Sequence, residues 1–159
     1  MNIRNLTVLN KNMEVNKMVT KFEAGTIILR VVLGITFFVH GLVKFQGGIE
    51  NIAAWFDGIG LPGFSAYVVA LIEMIGGIAL IVGLFSKIVS AIFSLLMIGA
   101  IFKVKLAAGF LGNGQMAGYE LDLALLAIAV FITINDSKAF ALDQMIFKKK
   151  EPETTTIAK

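Results

Sequence analysis

Residues 64–85 read FSAYVVALIEMIGGIALIVGLF, and this stretch decides the fold. It is apolar almost throughout, with one charged residue, Glu73, near its middle. A helix needs roughly 20 apolar residues to cross the hydrocarbon core of a bilayer, and this run has the length. The run is continuous rather than alternating, so it does not read as a barrel strand. A helix is then the way to satisfy its backbone in lipid. A carboxyl group inside such a helix is costly unless it is paired, hydrated or neutralised, which makes Glu73 the first functional candidate.

Three further apolar blocks lie around it, at about residues 23–43, 88–102 and 121–134. The first carries Arg30 and His40 well inside its ends. The last two reach span length if Lys87, Lys103, Lys105, Glu120 and Asp122 sit at the interfaces, where long lysine side chains snorkel to water. The short connection at 85–87 makes the second and third helices an antiparallel hairpin. The expected architecture is therefore all-α, an integral membrane four-helix bundle. Composition agrees: 57% of residues are hydrophobic, 16% are charged and the mean hydropathy is +0.85. A soluble domain is about half apolar and about a quarter charged.

The segment between the first two helices has its own pattern. Within 48–59, Ile49, Ile52, Ala53, Phe56 and Ile59 recur at helical spacing, while Glu50, Asn51 and Asp57 fall elsewhere. This predicts a short amphipathic helix in the membrane interface, with Trp55 as an anchor. Gly60-Leu61-Pro62-Gly63 then turns the chain into the next helix. The second long loop, 106–118, is glycine-rich and is expected to be mobile or to close over a site. Residues 1–22 are polar and basic, lack the pattern of a cleavable signal peptide, and are expected to be disordered and cytoplasmic. Met13 and Met18 are alternative starts. The membrane domain covers 23–135, and 136–159 form a basic cytoplasmic tail. Basic residues concentrate on one side of a four-span topology: Arg4, Lys11, Lys17, Lys21, Lys87, Lys138, Lys148, Lys149, Lys150 and Lys159, against Lys44, Lys103 and Lys105. The positive-inside rule therefore puts both termini in the cytoplasm.

Several chemistries are excluded. The chain has no cysteine, so it has no disulfide, thiolate nucleophile or cysteine-ligated cluster. One histidine and scattered carboxylates show no metal-ligand spacing, and no metal site is expected. No nucleotide-binding or nucleic-acid-binding motif is present, and the net charge of +3 speaks of membrane orientation.

The topology gathers the remaining polar residues in the outer half of the bundle. Glu73 precedes Gly76 and Gly77, small residues that let helices approach closely in lipid and so turn Glu73 inward. There it is a proton carrier or a structural partner for Lys103, Lys105, Arg30 or His40. Histidine changes protonation near neutral pH, which makes His40 the natural companion in proton transfer; its alternative is an interfacial hydrogen bond. Lys44 reads first as an interfacial anchor. Arg30, Gly34, Phe37 and Gly41 share one helical stripe, so Arg30 faces another helix and pairs across the bundle. Glu120 pairs with Lys103 or Lys105, or is simply hydrated with Asp122 at a helix N-terminus.

These residues carry a resemblance. Leu29-Arg30-Val31-Val32-Leu33-Gly34 with Phe38, His40-Gly41 and Lys44, then Gly60-Leu61-Pro62, then Glu73-Met74-Ile75-Gly76-Gly77 with Leu80 and Gly83-Leu84, and last Gly118-Tyr119-Glu120-Leu121, together resemble the DoxX family over about 23–135. The family consists of small bacterial four-helix membrane proteins. The resemblance implies a multi-pass protein of the bacterial plasma membrane, linked to quinone or thiol redox and to stress from catechol-like compounds. It implies no intrinsic cofactor beyond a menaquinone-like quinone. It highlights His40 and Glu73 as catalytic, and Arg30, Lys44, Lys103 and Glu120 as binding residues. Many members carry a histidine where this chain has Lys103 and Lys105. The functional expectation is a quinone-interacting oxidoreductase subunit with lipid, a redox partner protein or a second copy as neighbours. The alternatives are a non-enzymatic scaffold for a redox partner and a small proton-coupled transporter.

Overall fold

The computed structural model describes residues 3–135, with side chains from Asn12 onward. The expected 136–159 tail lies outside the described residues. The described chain is all-α: α1 (Ile3–Gln46), α2 (Ile49–Gly58), α3 (Phe64–Val82), α4 (Ser86–Ala100) and α5 (Glu120–Ile134). The α4 helix runs on through a π turn, Ile101–Lys105, and a single 3-10 turn, Leu106–Ala108. Three stretches are long and apolar enough to cross a membrane: Asn12–Gln46, Phe64–Val82 and Ser86–Ala108. The 15 residues of α5 rise about 22 Å, less than the roughly 30 Å hydrocarbon core.

The α1 helix begins at Ile3, inside the polar segment for which disorder was expected. The physical reason is local. No glycine or proline stands before Gly25, and extending an existing helix is far cheaper than starting one. The short α2 helix matches the amphipathic segment expected at 48–59. Its Ile49 is buried, and Ile52, Ala53 and Phe56 pack with Phe45 against Ala66 and Ala70 of α3. The N–H of Gly63 donates to Asp57 Oδ1 at 2.7 Å, which ties the end of α2 to the start of α3. At the far end, Gly83 takes the left-handed conformation that ends α3, with Leu84 N–H donating to Ala79 O at 2.8 Å. The chain enters α4 three residues later, so α3 and α4 form the expected hairpin.

The helices associate as two close pairs, α1 with α3 and α4 with α5. The first pair is antiparallel and its backbones nearly touch. A Cβ at Gly77 would lie 2.6 Å from Gly34 O, and one at Gly41 would lie 2.7 Å from Ala70 O. Lipid tails are as apolar as leucine, so helix association there relies on such close packing. The pairs join toward the Gly83 end, where Phe37 stacks on Phe93 (centroids 3.7 Å apart, 16° between planes) within a core that includes Leu33, Leu80, Ala129 and Ile132. The outward faces stay apolar: Ile28, Val32, Ile35, Val39 and Val43 form an exposed stripe along α1. A helix that is apolar all round is suited to a bilayer.

The seam makes a direct prediction. Gly77→Ala places a methyl group against backbone atoms that have no rotamer to retreat into, and overpacking of this kind costs about 1–3 kcal/mol. Gly25→Ala has open space and is the control. Thermal unfolding in one detergent is expected to show a lower midpoint for Gly77→Ala and none for Gly25→Ala; equal midpoints would remove the seam from the account.

Candidate functional site

A cavity of about 460 Å³ opens between the two helix pairs at the Lys44 end. Its wall is mostly apolar. Phe37 forms its base, α2 contributes Trp55 and Phe56, and Leu96 and Leu125 come from the opposite pair. Five charged side chains and one histidine border it: Lys44, Glu73, Lys103, Lys105, Asp122 and His40.

The seam between α1 and α3 positions the first charged pair. Gly41 lies against Ala70 and Met74, so His40 is level with Glu73 and Lys44 stands one turn beyond. Side chains on a helix lean toward its N-terminus. In an antiparallel pair that leaning makes Lys44 and Glu73 converge. Their side chains form an ion pair, with Lys44 Nζ donating to Glu73 Oε2. Glu73 is buried, as its place beside the small residues of α3 predicts.

The second pair depends on the π turn. In an ordinary helix Ala100 and Lys105 point in different directions. A π turn closes its hydrogen bonds five residues apart rather than four, which swings Lys105 round beneath Ala100. Both then border the cavity, and Lys105 Nζ donates to Asp122 Oδ2 at 2.5 Å. Asp122 is buried on the stripe that continues through Leu125, Ala129 and Ile132. Each helix pair thus carries its own lysine–carboxylate bridge on one side of the cavity.

The structure brings together four of the six residues singled out from sequence: His40, Lys44, Glu73 and Lys103. It separates two. Arg30 is buried, in line with its stripe, but lies fourteen positions before Lys44, roughly 21 Å along α1 at 1.5 Å per residue. It does not border the cavity, and the partner of Glu73 is Lys44 instead. Glu120 is exposed and also outside the cavity; the acid that meets Lys105 is Asp122. Two positions along a helix turn a side chain by about 200°, so Glu120 and Asp122 face nearly opposite ways. That phase, set by Leu125 and Ala129, was the signal in the sequence for Asp122. No comparable signal marks the π turn.

The glycine-rich loop does not roof the cavity. It is folded on itself: Asn113 Oδ1 accepts from the N–H groups of Gln115 and Met116, and Phe110 meets Tyr119 edge to face at 5.5 Å. The roof comes from α2. Among the described residues no group of three or more histidine, aspartate or glutamate side chains is placed to hold a metal.

Comparison with known proteins gives a consistent result. The DoxX family model matches residues 25–106. A Bacillus subtilis (strain 168) protein named "Putative oxidoreductase CatD" is 48% identical over 130 residues, covering 82% of this chain and 92% of its own. An uncharacterized Haemophilus influenzae protein is 33% identical over 127 residues, covering 76% of this chain and 90% of its own. An uncharacterized membrane protein of Mycobacterium tuberculosis is 27% identical over 135 residues, covering 79% and 83%. No solved structure matches.

The ion pairs predict a thermodynamic cycle. Lys44→Met leaves Glu73 buried without its counter-charge, and breaking a buried pair costs about 3–5 kcal/mol. The Lys44→Met/Glu73→Leu double variant is expected to recover most of that loss, since replacing both partners by apolar groups is often neutral. Unfolding midpoints of the four proteins in one detergent check this; a double variant whose loss equals the sum of the singles would mean the two side chains do not act as a pair.

Proposed function

The chain belongs to the DoxX family, and on that premise we propose that it is an oxidoreductase subunit of the bacterial plasma membrane that binds a quinone or quinone-like ring in this cavity. The carrying observation is the combination of an apolar, aromatic-bordered space with a buried carboxylate and a histidine at the same level. The volume falls in the roughly 300–1,000 Å³ range of small-molecule sites. Its walls suit a flat ring, and the name of the Bacillus subtilis relative supports redox chemistry.

In this reading Glu73 and His40 manage protons. Converting a quinone to a quinol adds two electrons and two protons, one proton to each ring oxygen. Glu73 and His40 hydrogen-bond the oxygens and pass the protons, a role for positioned acids and bases. Lys44 keeps Glu73 oriented between turnovers. The electrons come from a partner protein docked at the membrane. The cavity end faces outward, α5 completes a fourth span, and both termini are cytoplasmic.

Binding of a menaquinone analogue to the purified protein tests the site. Replacing a charged partner in a hydrogen bond costs about 1.5–3 kcal/mol, so Glu73→Gln is expected to weaken binding at least about tenfold. Absence of binding in both detergent and nanodiscs would overturn the reading. So would full binding by Glu73→Gln with loss of assembly onto a redox enzyme, which would make the protein a scaffold. The orientation has its own test, helped by the absence of cysteine. A cysteine placed at Asn113 is expected to react with a membrane-impermeant maleimide added to intact cells, and one placed at Lys11 is not. The reverse pattern would invert the topology.

A further inference from the structure

The cavity is bordered by more positive than negative charge. Lys44, Lys103 and Lys105 stand against Glu73 and Asp122. Both carboxylates are already matched, Glu73 by Lys44 and Asp122 by Lys105. Among the described residues Lys103 has no hydrogen bond or ion pair. Glu120 is exposed and outside the cavity. His40, which also borders the space, adds positive charge when protonated and never adds negative charge.

The position of Lys103 is itself held. It shares the π turn with Lys105, and the bridge from Lys105 to Asp122 fixes that turn against α5. Lys103, although exposed, is therefore presented at the border of a mostly apolar space. An uncompensated charge beside mostly apolar walls attracts an anion that enters, because such walls focus its field. The complementary ligand is flat, apolar and negatively charged.

We propose that the cavity binds its ligand as an anion, an aromatic ring bearing an ionised oxygen, with Lys103 as the counter-charge. This rests on the quinone reading and narrows it. The preferred ligand is an acidic, hydroxyl-substituted quinone rather than a neutral one. Phe37, Trp55 and Phe56 receive the ring, and the ionised oxygen turns toward the π turn. Lys103 is a binding and specificity residue; the two bridged lysines are spent on their carboxylates.

Two rings of nearly equal shape test this: a neutral naphthoquinone, and its ring-hydroxylated analogue, which is an anion at neutral pH. In nanodiscs of zwitterionic lipid the anion is expected to bind about tenfold or more tightly than the neutral ring, the scale of a charge-assisted hydrogen bond. Lys103→Gln should abolish that preference, weakening the anion about tenfold or more beyond any effect on the neutral ring, and Lys103→Arg should keep it. Equal binding of both rings to the unaltered protein would overturn the proposal while leaving the quinone site standing. So would a Lys103→Gln variant that weakens both rings alike. Failure of both rings to bind would remove the quinone site and this inference together. The same titrations in nanodiscs containing anionic lipid separate a ligand from a headgroup. Persistence of the preference supports the proposal, and its disappearance would assign Lys103 to lipid phosphate and overturn it.

Discussion

The near-contact of backbones along α1 and α3 is the constraint on which the rest of the site depends. In lipid, apolar side chains gain little by touching one another, so a helix pair needs shape rather than greasiness to hold together. Gly34, Gly41 and Gly77 supply that shape by removing the atoms that would keep the helices apart. Once the axes are this close and antiparallel, register follows. Gly41 against Ala70 and Met74 sets Lys44 and Glu73 to lean toward each other across the seam. The seam therefore does more than pack. It places a buried carboxylate where a cation from the neighbouring helix reaches it.

The two bridges then explain why the cavity is compatible with a membrane at all. An isolated charge at this depth would neutralise itself or draw water in. Glu73 and Asp122 are both buried, yet each has a lysine within its own helix pair. The charges are settled separately within each half, so no bridge has to cross the space between the halves. This leaves the space free for a ligand. A bridge spanning it, such as one from Glu73 to Lys103 or Lys105, two of the partners expected from sequence, would have filled the space with an ammonium group and tied the halves together.

What the sequence made legible divides along the same physical line. Apolar run lengths placed α3, α4 and the spanning part of α1, because span length and backbone satisfaction leave few alternatives in lipid, and they located α5 as an apolar helix shorter than a span. Period placed α2 and predicted that Arg30, Gly34, Phe37 and Gly41 share a buried face, which they do. These are properties of one segment at a time. The partner of Glu73 was not legible, because it depends on the register between two helices, and four cations lay within plausible reach of the unassembled chain. Lys44 was read as an anchor for the same reason: alone at a helix end it looks interfacial, and only the seam turns it inward. The choice of Asp122 over Glu120 was partly legible, since Leu125, Ala129 and Ile132 define the buried phase of α5. The π turn was not, because nothing in Ile101-Phe102-Lys103-Val104-Lys105 distinguishes it from a further turn of α4.

That π turn connects the local and global arguments. Had α4 continued as an ordinary helix through residue 105, Lys103 would have kept its place on the cavity face, continuing the line of Gly99, while Lys105 would have turned away from it. Asp122 would then lie buried without a cation, and Lys103 would be the only candidate to satisfy it. The cavity would still hold two bridges, but the ammonium group now left uncommitted would be spent within the protein. The widened turn brings a second lysine to the same wall, so that one neutralises Asp122 and the other does not. A single extra residue in one turn thus converts a closed set of charges into a set with one cation over, and the surplus, an exposed lysine, sits on the border of the cavity. The electrostatic character of the site is in this sense a backbone property of α4 as much as a matter of side-chain composition.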